Sequence, residues 1–256
     1  MAQATDVSPL EMAKEKFEKI IEENHLNDSD ISVLVKTLSP EEAIGVPGRR
    51  DFPIVEGKER VVEADFQGAK AHSFTDTPRE FLGKLEDVIS MPLADSGERA
   101  IFIATMNAVL KYLNIIEKTL HCKDEEPERC AIDIVSYIRD RIGAKKVGLI
   151  GLNPAILEAL SRAFRTENVH VTDLNRLNIG AVKFGVKIWD GNTMTEKLVQ
   201  ESDIVLLTGT TMVNGTFDRI WYFIRQYKKD YLVYGVTSAG VCLLNGLNRI
   251  CPYGRK

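Results

Sequence analysis

Apolar positions follow two regimes along the chain. Near the N-terminus Leu10, Phe17, Ile20 and Ile21 share one face of a helix expected from about Ser8 to Asn24. Ser8, Pro9 and Glu11 supply its N-cap, N1 proline and capping-box acid. The run "ISVLVKTL" is β-branched with period-two character and predicts a strand. From Ser39 to Ala71 the pattern is short and broken, predicting strands near 43–46 and 60–66 around the loop "GVPGRRDFPIVEGKER". "SFTDTPREFLGKLEDVIS" predicts a helix. "MPLADSGE" breaks it, with Asp95 or Ser96 capping a second helix at roughly 97–118. That second helix is apolar almost all round and is expected between two layers.

The acidic stretch "HCKDEEPERC" interrupts the pattern and predicts a boundary between domains 1–122 and 123–256. Beyond it, Ala131, Val135, Ile138 and Ile142 mark a helix that Gly143 closes. Five short β-rich runs follow, "KKVGLIG", "NVHVTDL", "FGVKIWD", "SDIVLLTG" and "DYLVYGV", most of them separated by helix-length segments. This alternation predicts an α/β fold, with a doubly wound parallel sheet of Rossmann type in the second half.

Composition narrows the function. With 33 basic and 37 acidic residues, a net charge of −4 and no basic stripe, a nucleic-acid partner is not expected. No apolar run approaches the roughly 20 residues of a membrane span, and the amphipathic N-terminus lacks a signal peptide's apolar core, so a cytoplasmic protein is expected. The cysteines Cys122, Cys130, Cys242 and Cys251 form no C-x-x-C and are read as reduced thiols.

Candidate chemistry gathers at the strand ends of the second half. "VGLIGLNPAILEAL" reads as strand, tight turn and helix, with Gly151 in the turn, Asn153 capping and Pro154 at the first helical position. Free N–H groups at such a start favour an anion. Asp173, twenty-two residues after Gly151, stands where an acid commonly accepts hydrogen bonds from a ribose. That pattern points to a nucleotide or S-adenosylmethionine, although the turn is G-x-N-P and lacks the second glycine of the dinucleotide fingerprint.

The fourth run ends in "TGTTMVNGT". Placed next to the first strand, where strand order reverses, Thr208, Thr210, Thr211, Asn214 and Thr216 would offer neutral donors and acceptors. Gly209 and Gly215 would let backbone approach a ligand closely. The same residues also suit a capping role for the helix that follows. Thr237 and Ser238 end the fifth run at the same sheet edge, and Asn107, inside the apolar helix, is either a structural tie or a ligand contact. Arg49 and Arg50 read either as a lid over an anion or as a solvated loop. His121 with Cys122 and Cys130 lacks the regular spacing of a closed zinc site, and no metal ligands are assigned.

The segments "SFTDTPREFLGKLEDVISMPL", "RAIFIATMNAVLKYL", "KVGLIGLNPAILEAL", "VHVTDLN" and "LLTGTTMVNGTFDRI" together resemble a family of uncharacterised proteins named for heavy-metal chelation. The resemblance implies a Rossmann-like C-terminal domain behind a smaller α+β domain similar to the enolase N-terminal domain, often in a homodimer. It also implies a ligand cleft between the two and a role in heavy-metal, corrinoid or other chelate chemistry. His25, His72, His121 and His170 are scattered along the chain, so a metal held in an organic chelate fits the neutral cleft better than a bare ion. The leading expectation is a binder of a small polar metabolite or metal chelate. The alternatives are an S-adenosylmethionine- or nucleotide-dependent transferase or oxidoreductase, and an assembly module with a vestigial cleft and the 97–118 helix as dimer interface.

Overall fold

The computed structural model of the chain describes residues 7–26, 32–57 and 59–256. The beginning of the amphipathic N-terminus and the first residue of the expected strand at Ile31 lie outside them. In the first half the elements are α1 (Pro9–Glu23), β1 (Ser32–Leu38), α2 (Pro40–Ile44), β2 (Arg60–Phe66), β3 (Ala69–Thr75), β4 (Phe81–Lys84), α3 (Leu85–Ile89) and α4 (Ser96–Tyr112). The four strands form an antiparallel sheet in the order β3-β2-β1-β4.

Three expectations for this half are corrected. The strand near 43–46 is instead the end of α2. Ser39 Oγ accepts the Glu42 N–H at 3.2 Å while the Glu42 carboxylate accepts the Ser39 N–H at 2.8 Å, a capping box with Pro40 at the first helical position. The helix expected within 73–90 is mostly β-structure: Ser73 to Thr75 end β3, and Phe81–Lys84 pair with β1 before a single helical turn. A four-residue edge strand is too short for periodicity to declare it. Helix α4 stops at Tyr112, not near 118. Asn114 turns left-handed (φ 57°) and the Ile115 N–H closes on the Leu110 carbonyl at 2.8 Å, a helix stop of the kind asparagine tolerates.

The second half runs α5 (Glu126–Tyr137), β5 (Val147–Ile150), α6 (Pro154–Ala163), β6 (Val169–Asp173), β7 (Val182–Lys183) and β8 (Val186–Asp190). It continues with α7 (Gly191–Glu201), β9 (Ile204–Thr208), α8 (Thr210–Val213), α9 (Phe217–Gln226), β10 (Asp230–Tyr234), α10 (Ala239–Asn245) and β11 (Arg249–Ile250). The seven-stranded sheet has the order β11-β10-β9-β5-β6-β8-β7, parallel throughout except for the β7–β8 hairpin. The fold is mixed α/β, and all five predicted strands are present. β9 lies beside β5, so strand order reverses between them and the expected crevice opens at their C-terminal ends. β5 and most of β9 are buried, which is why they read as continuous apolar runs.

Helix α4 lies between β2 and β3 on one side and α8 and α10 on the other. Every residue from Ala100 to Leu110 is buried. Phe102, Met106 and Leu110 join Phe66 of the antiparallel sheet to Val205, Leu207 and Val241 of the parallel half in one cluster. Each such side chain contributes about 1.5–3 kcal/mol by leaving water. Because α4 is covered within the chain, its apolar surface gives no reason for a dimer interface. A second cluster joins Leu38, Phe52 and Val61 to Ile134, Leu149 and Leu206, so apolar packing crosses the 121–130 segment on both sides. Among the described residues no helix is long and apolar enough to cross a membrane.

Candidate ligand-binding site

The turn after β5 is built from its own residues. Gly151 adopts φ +85° and its N–H donates to the Thr172 carbonyl at 3.0 Å. A Cβ at Gly151 would stand 2.6 Å from the Thr208 methyl, so this turn and the end of β9 touch directly. Asn153 Oδ1 caps α6 by accepting the Ile156 N–H at 3.1 Å. Asp173 accepts the Leu152 N–H on one carboxylate oxygen (2.9 Å) and the Asn175 N–H on the other (2.6 Å). The acid expected to meet a ribose therefore already pins two turns, and Thr208 crowds the glycine turn where a pyrophosphate would lie.

The "TGTTMVNGT" block serves itself in large part. Thr211 Oγ1 donates to the Thr208 carbonyl at 2.7 Å, and Thr208 Oγ1 accepts the Thr210 N–H at 3.3 Å. Asn214 Oδ1 accepts from both the N–H (3.1 Å) and the hydroxyl (2.7 Å) of Thr216 at the start of α9. Gly209 donates its N–H to the Tyr234 carbonyl at 2.9 Å, and a Cβ there would stand 2.9 Å from the Ser238 backbone nitrogen. Four threonines, an asparagine and bare backbone thus let two strand ends and two helix starts meet in a small space, and what they leave uncommitted faces a cavity.

That cavity measures about 590 Å³. Its wall includes Gly151, Asn153 and Asp173 from the β5 and β6 ends and Thr237 from the turn after β10. From the threonine block come Thr208, Gly209, Thr210, Thr211, Asn214 and Thr216. Three sequence candidates stand behind the wall. Gly215 (φ +77°) lies against the Arg99 guanidinium, and Ser238, fully buried, donates to the Gly235 carbonyl at 3.3 Å. Asn107 is fully buried too: its Oδ1 accepts the Gly240 N–H at 2.7 Å while its Nδ2 donates to the carbonyls of Thr237 (3.1 Å) and Val236 (3.4 Å). Of its two sequence readings the structure supports the tie, and the ligand contact is corrected. Arg49 is likewise no free clamp: it pairs with Asp51 at 2.7 Å and Glu158 at 3.0 Å and lies over the Phe52 and Phe184 rings.

The first half closes the cavity with groups that carried no sequence signal. Phe74, Thr75 and Asp76 come from the end of β3, and the Phe74 N–H donates to Thr237 Oγ1 at 3.1 Å across the two sheets. Glu59 is partly exposed as a residue, yet its carboxyl is enclosed there, and burial followed by the charges of Asp173 and Asp76 pushes its pKa up to about 7. Tyr234 donates to the Gly151 carbonyl at 3.4 Å, and its own pKa is pushed up by burial. His121 donates from Nδ1 to the Cys122 carbonyl at 2.6 Å, and burial lowers its pKa to about 4, leaving it neutral at pH 7. The hydroxyl of Thr172, also in the wall, is buried with no protein hydrogen-bond partner. Among the described residues Arg219 is the wall's only lysine or arginine, and it already donates to the Asn192 carbonyl at 3.0 Å.

Comparison with known proteins bears out the resemblance read from the sequence. Residues 133–241, from α5 into α10, match the model of the family DUF364, described as "Putative heavy-metal chelation". A DUF364 protein of unknown function from Pyrococcus horikoshii shares the fold, with a TM-score of 0.53 at 16% identity over 90% of this chain and 80% of that one. Another DUF364 protein of unknown function, from Desulfitobacterium hafniense, gives a TM-score of 0.47 at 15% identity over 73% and 72%. No curated protein matches. The second half of the chain thus carries the sequence pattern of the DUF364 family, and nearly the whole chain shares the fold of one of its members.

Proposed function

We propose that the chain binds a small neutral or cationic organic molecule, or a metal chelate of that charge, in the cavity between its two sheets. The observation that carries this reading is the wall's charge: three acidic side chains, Glu59, Asp76 and Asp173, face a volume in which, among the described residues, Arg219 is the single lysine or arginine. A cavity of about 590 Å³ falls in the range that holds organic ligands and is far larger than a bare ion needs. Carboxylates in such a space repel phosphates and attract positive charge, while the threonine hydroxyls and Thr172 offer hydrogen bonds. The family's description fits a metal that arrives inside such a ligand.

A second reading, an enzyme acting on the bound molecule, is favoured by Glu59, because a carboxyl that titrates near neutrality can give and take protons at physiological pH. S-adenosylmethionine, whose sulfonium is cationic, is the nucleoside ligand this charge balance admits. Dinucleotides are disfavoured by the commitments of Asp173 and the Gly151–Thr208 contact.

The test is a thermal-shift panel of cationic and neutral corrinoids, other metal chelates, S-adenosylmethionine, NAD, ATP and free divalent ions. A ligand at a hundredfold its Kd stabilises by about 2.7 kcal/mol. Neutral or cationic members are expected to raise the melting temperature, and Thr210→Val, which removes a wall hydroxyl, is expected to reduce that shift. Shifts confined to NAD and ATP would sink the reading.

A further inference from the structure

His121 is held through its backbone and through one ring nitrogen, which leaves the other ring nitrogen uncommitted. Its N–H donates to His72 Nδ1 at 3.1 Å. Because that nitrogen accepts, the His72 hydrogen sits on Nε2, which lies 3.1 Å from the Glu63 carboxylate, and both residues are buried. Lys70 pairs with the same carboxylate at 3.2 Å and Lys36 at 3.7 Å, so the acceptor that fixes His121 is itself fixed by a charged network. The His72 N–H donates to the Thr119 carbonyl at 2.9 Å and ties β3 to the same segment. On the ring of His121, Nδ1 lies 2.6 Å from the Cys122 carbonyl and 3.8 Å from Cys122 Sγ. A carbonyl only accepts, so Nδ1 carries the hydrogen and Nε2 keeps a lone pair. Burial lowers the pKa of the ring to about 4, which favours this neutral form. The Phe74 ring packs against it at 5.1 Å. Nε2 has no hydrogen-bond partner among the described residues, yet the buried side-chain atoms that lack one there are the hydroxyls of Ser73, Thr105 and Thr172. His121 Nε2 therefore reaches open space, and the residue lines the cavity.

We propose that His121 Nε2 accepts an N–H from the bound molecule, and that the group seated against it is a protonated amine rather than a quaternary ammonium. This inference rests on the reading of the cavity as a site for a cationic ligand and specifies the cation. Attraction to the acidic wall depends on charge and distance, so it draws both kinds of cation. A lone pair discriminates because it needs a hydrogen to accept. A quaternary ammonium offers none, and a site built to hydrogen-bond an N–H rejects the analogue that lacks it, since the site's own polar atom is then left unpaired. A neutral imidazole also makes this contact without adding a fourth negative charge to the wall.

The experiment compares benzylammonium with benzyltrimethylammonium, which share a charge and an aromatic ring, in NMR titrations of the full chain and of His121→Phe, which keeps a ring against Phe74. Wild type is expected to prefer benzylammonium. His121→Phe is expected to lose about tenfold of that preference while binding benzyltrimethylammonium as wild type does. Should the variant fold poorly, wild type carrying ¹⁵N-labelled histidine decides: the His121 Nε2 signal, assigned through its backbone, is expected to move upfield with benzylammonium and to stay in place with benzyltrimethylammonium. An unchanged preference in His121→Phe, or an Nε2 signal indifferent to benzylammonium that binds, overturns the inference and leaves the cation site standing. Failure of both cations to bind wild type overturns the cation site itself, and this inference with it.

Discussion

Asn107→Ala is expected to lower the unfolding free energy by about 2–4 kcal/mol, with the denaturant midpoint falling and the m-value unchanged. The amide holds the turn after β10 from inside the core: it receives the Gly240 N–H and donates to two carbonyls, and the residue has no exposure to water. Truncation strands the Gly240 N–H and the Thr237 carbonyl where no solvent can satisfy them. Such groups cost about 1–3 kcal/mol each. That turn also carries Thr237, to which β3 bonds, so the loss spreads to the seam between the sheets. A stability change below about 0.5 kcal/mol would mean that the turn does not depend on Asn107.

Glu59→Gln is expected to stabilise the protein above pH 7 by about 2–3 kcal/mol and to change little near pH 4. In the unfolded chain a glutamate loses its proton near 4.5, whereas in the cavity burial and then the charges of Asp173 and Asp76 hold the proton to about 7, with Tyr234 the other titratable neighbour. Between these values the folded state binds more protons than the unfolded one. Stability therefore falls as pH rises from about 4.5 and levels off above 7. Glutamine removes the titration, so melting curves of the two proteins should converge in acid and separate by several degrees at pH 8. Parallel curves across that range would show that Glu59 ionises as it does in water.

The parallel half was legible because strands buried on both faces leave continuous apolar runs, as "VGLI" and "IVLL" do, and because β9 beside β5 follows from their succession in a doubly wound sheet. The short strands β3, β4, β7 and β11 were not, since two to seven residues at an edge or in a hairpin carry little periodicity. The α2 capping box stood in the text as "SPEE" and could have been read. For the site, the strand ends were visible locally, but the acidic wall was not. Glu59 and Asp76 from the first half meet Asp173 from the second only once the two halves have packed together. No local pattern encodes those meetings.

The claim that the cavity's acidity selects its ligand is tested most directly by calorimetric binding of one chelate scaffold prepared in cationic, neutral and anionic forms. Wild type is expected to bind the cationic form most tightly and the anionic form not measurably. The double variant Glu59→Gln, Asp76→Asn should lose about tenfold or more in affinity for the cation while keeping that for the neutral form. Preferential binding of the anionic form, or a cation affinity indifferent to both carboxylates, would contradict the account.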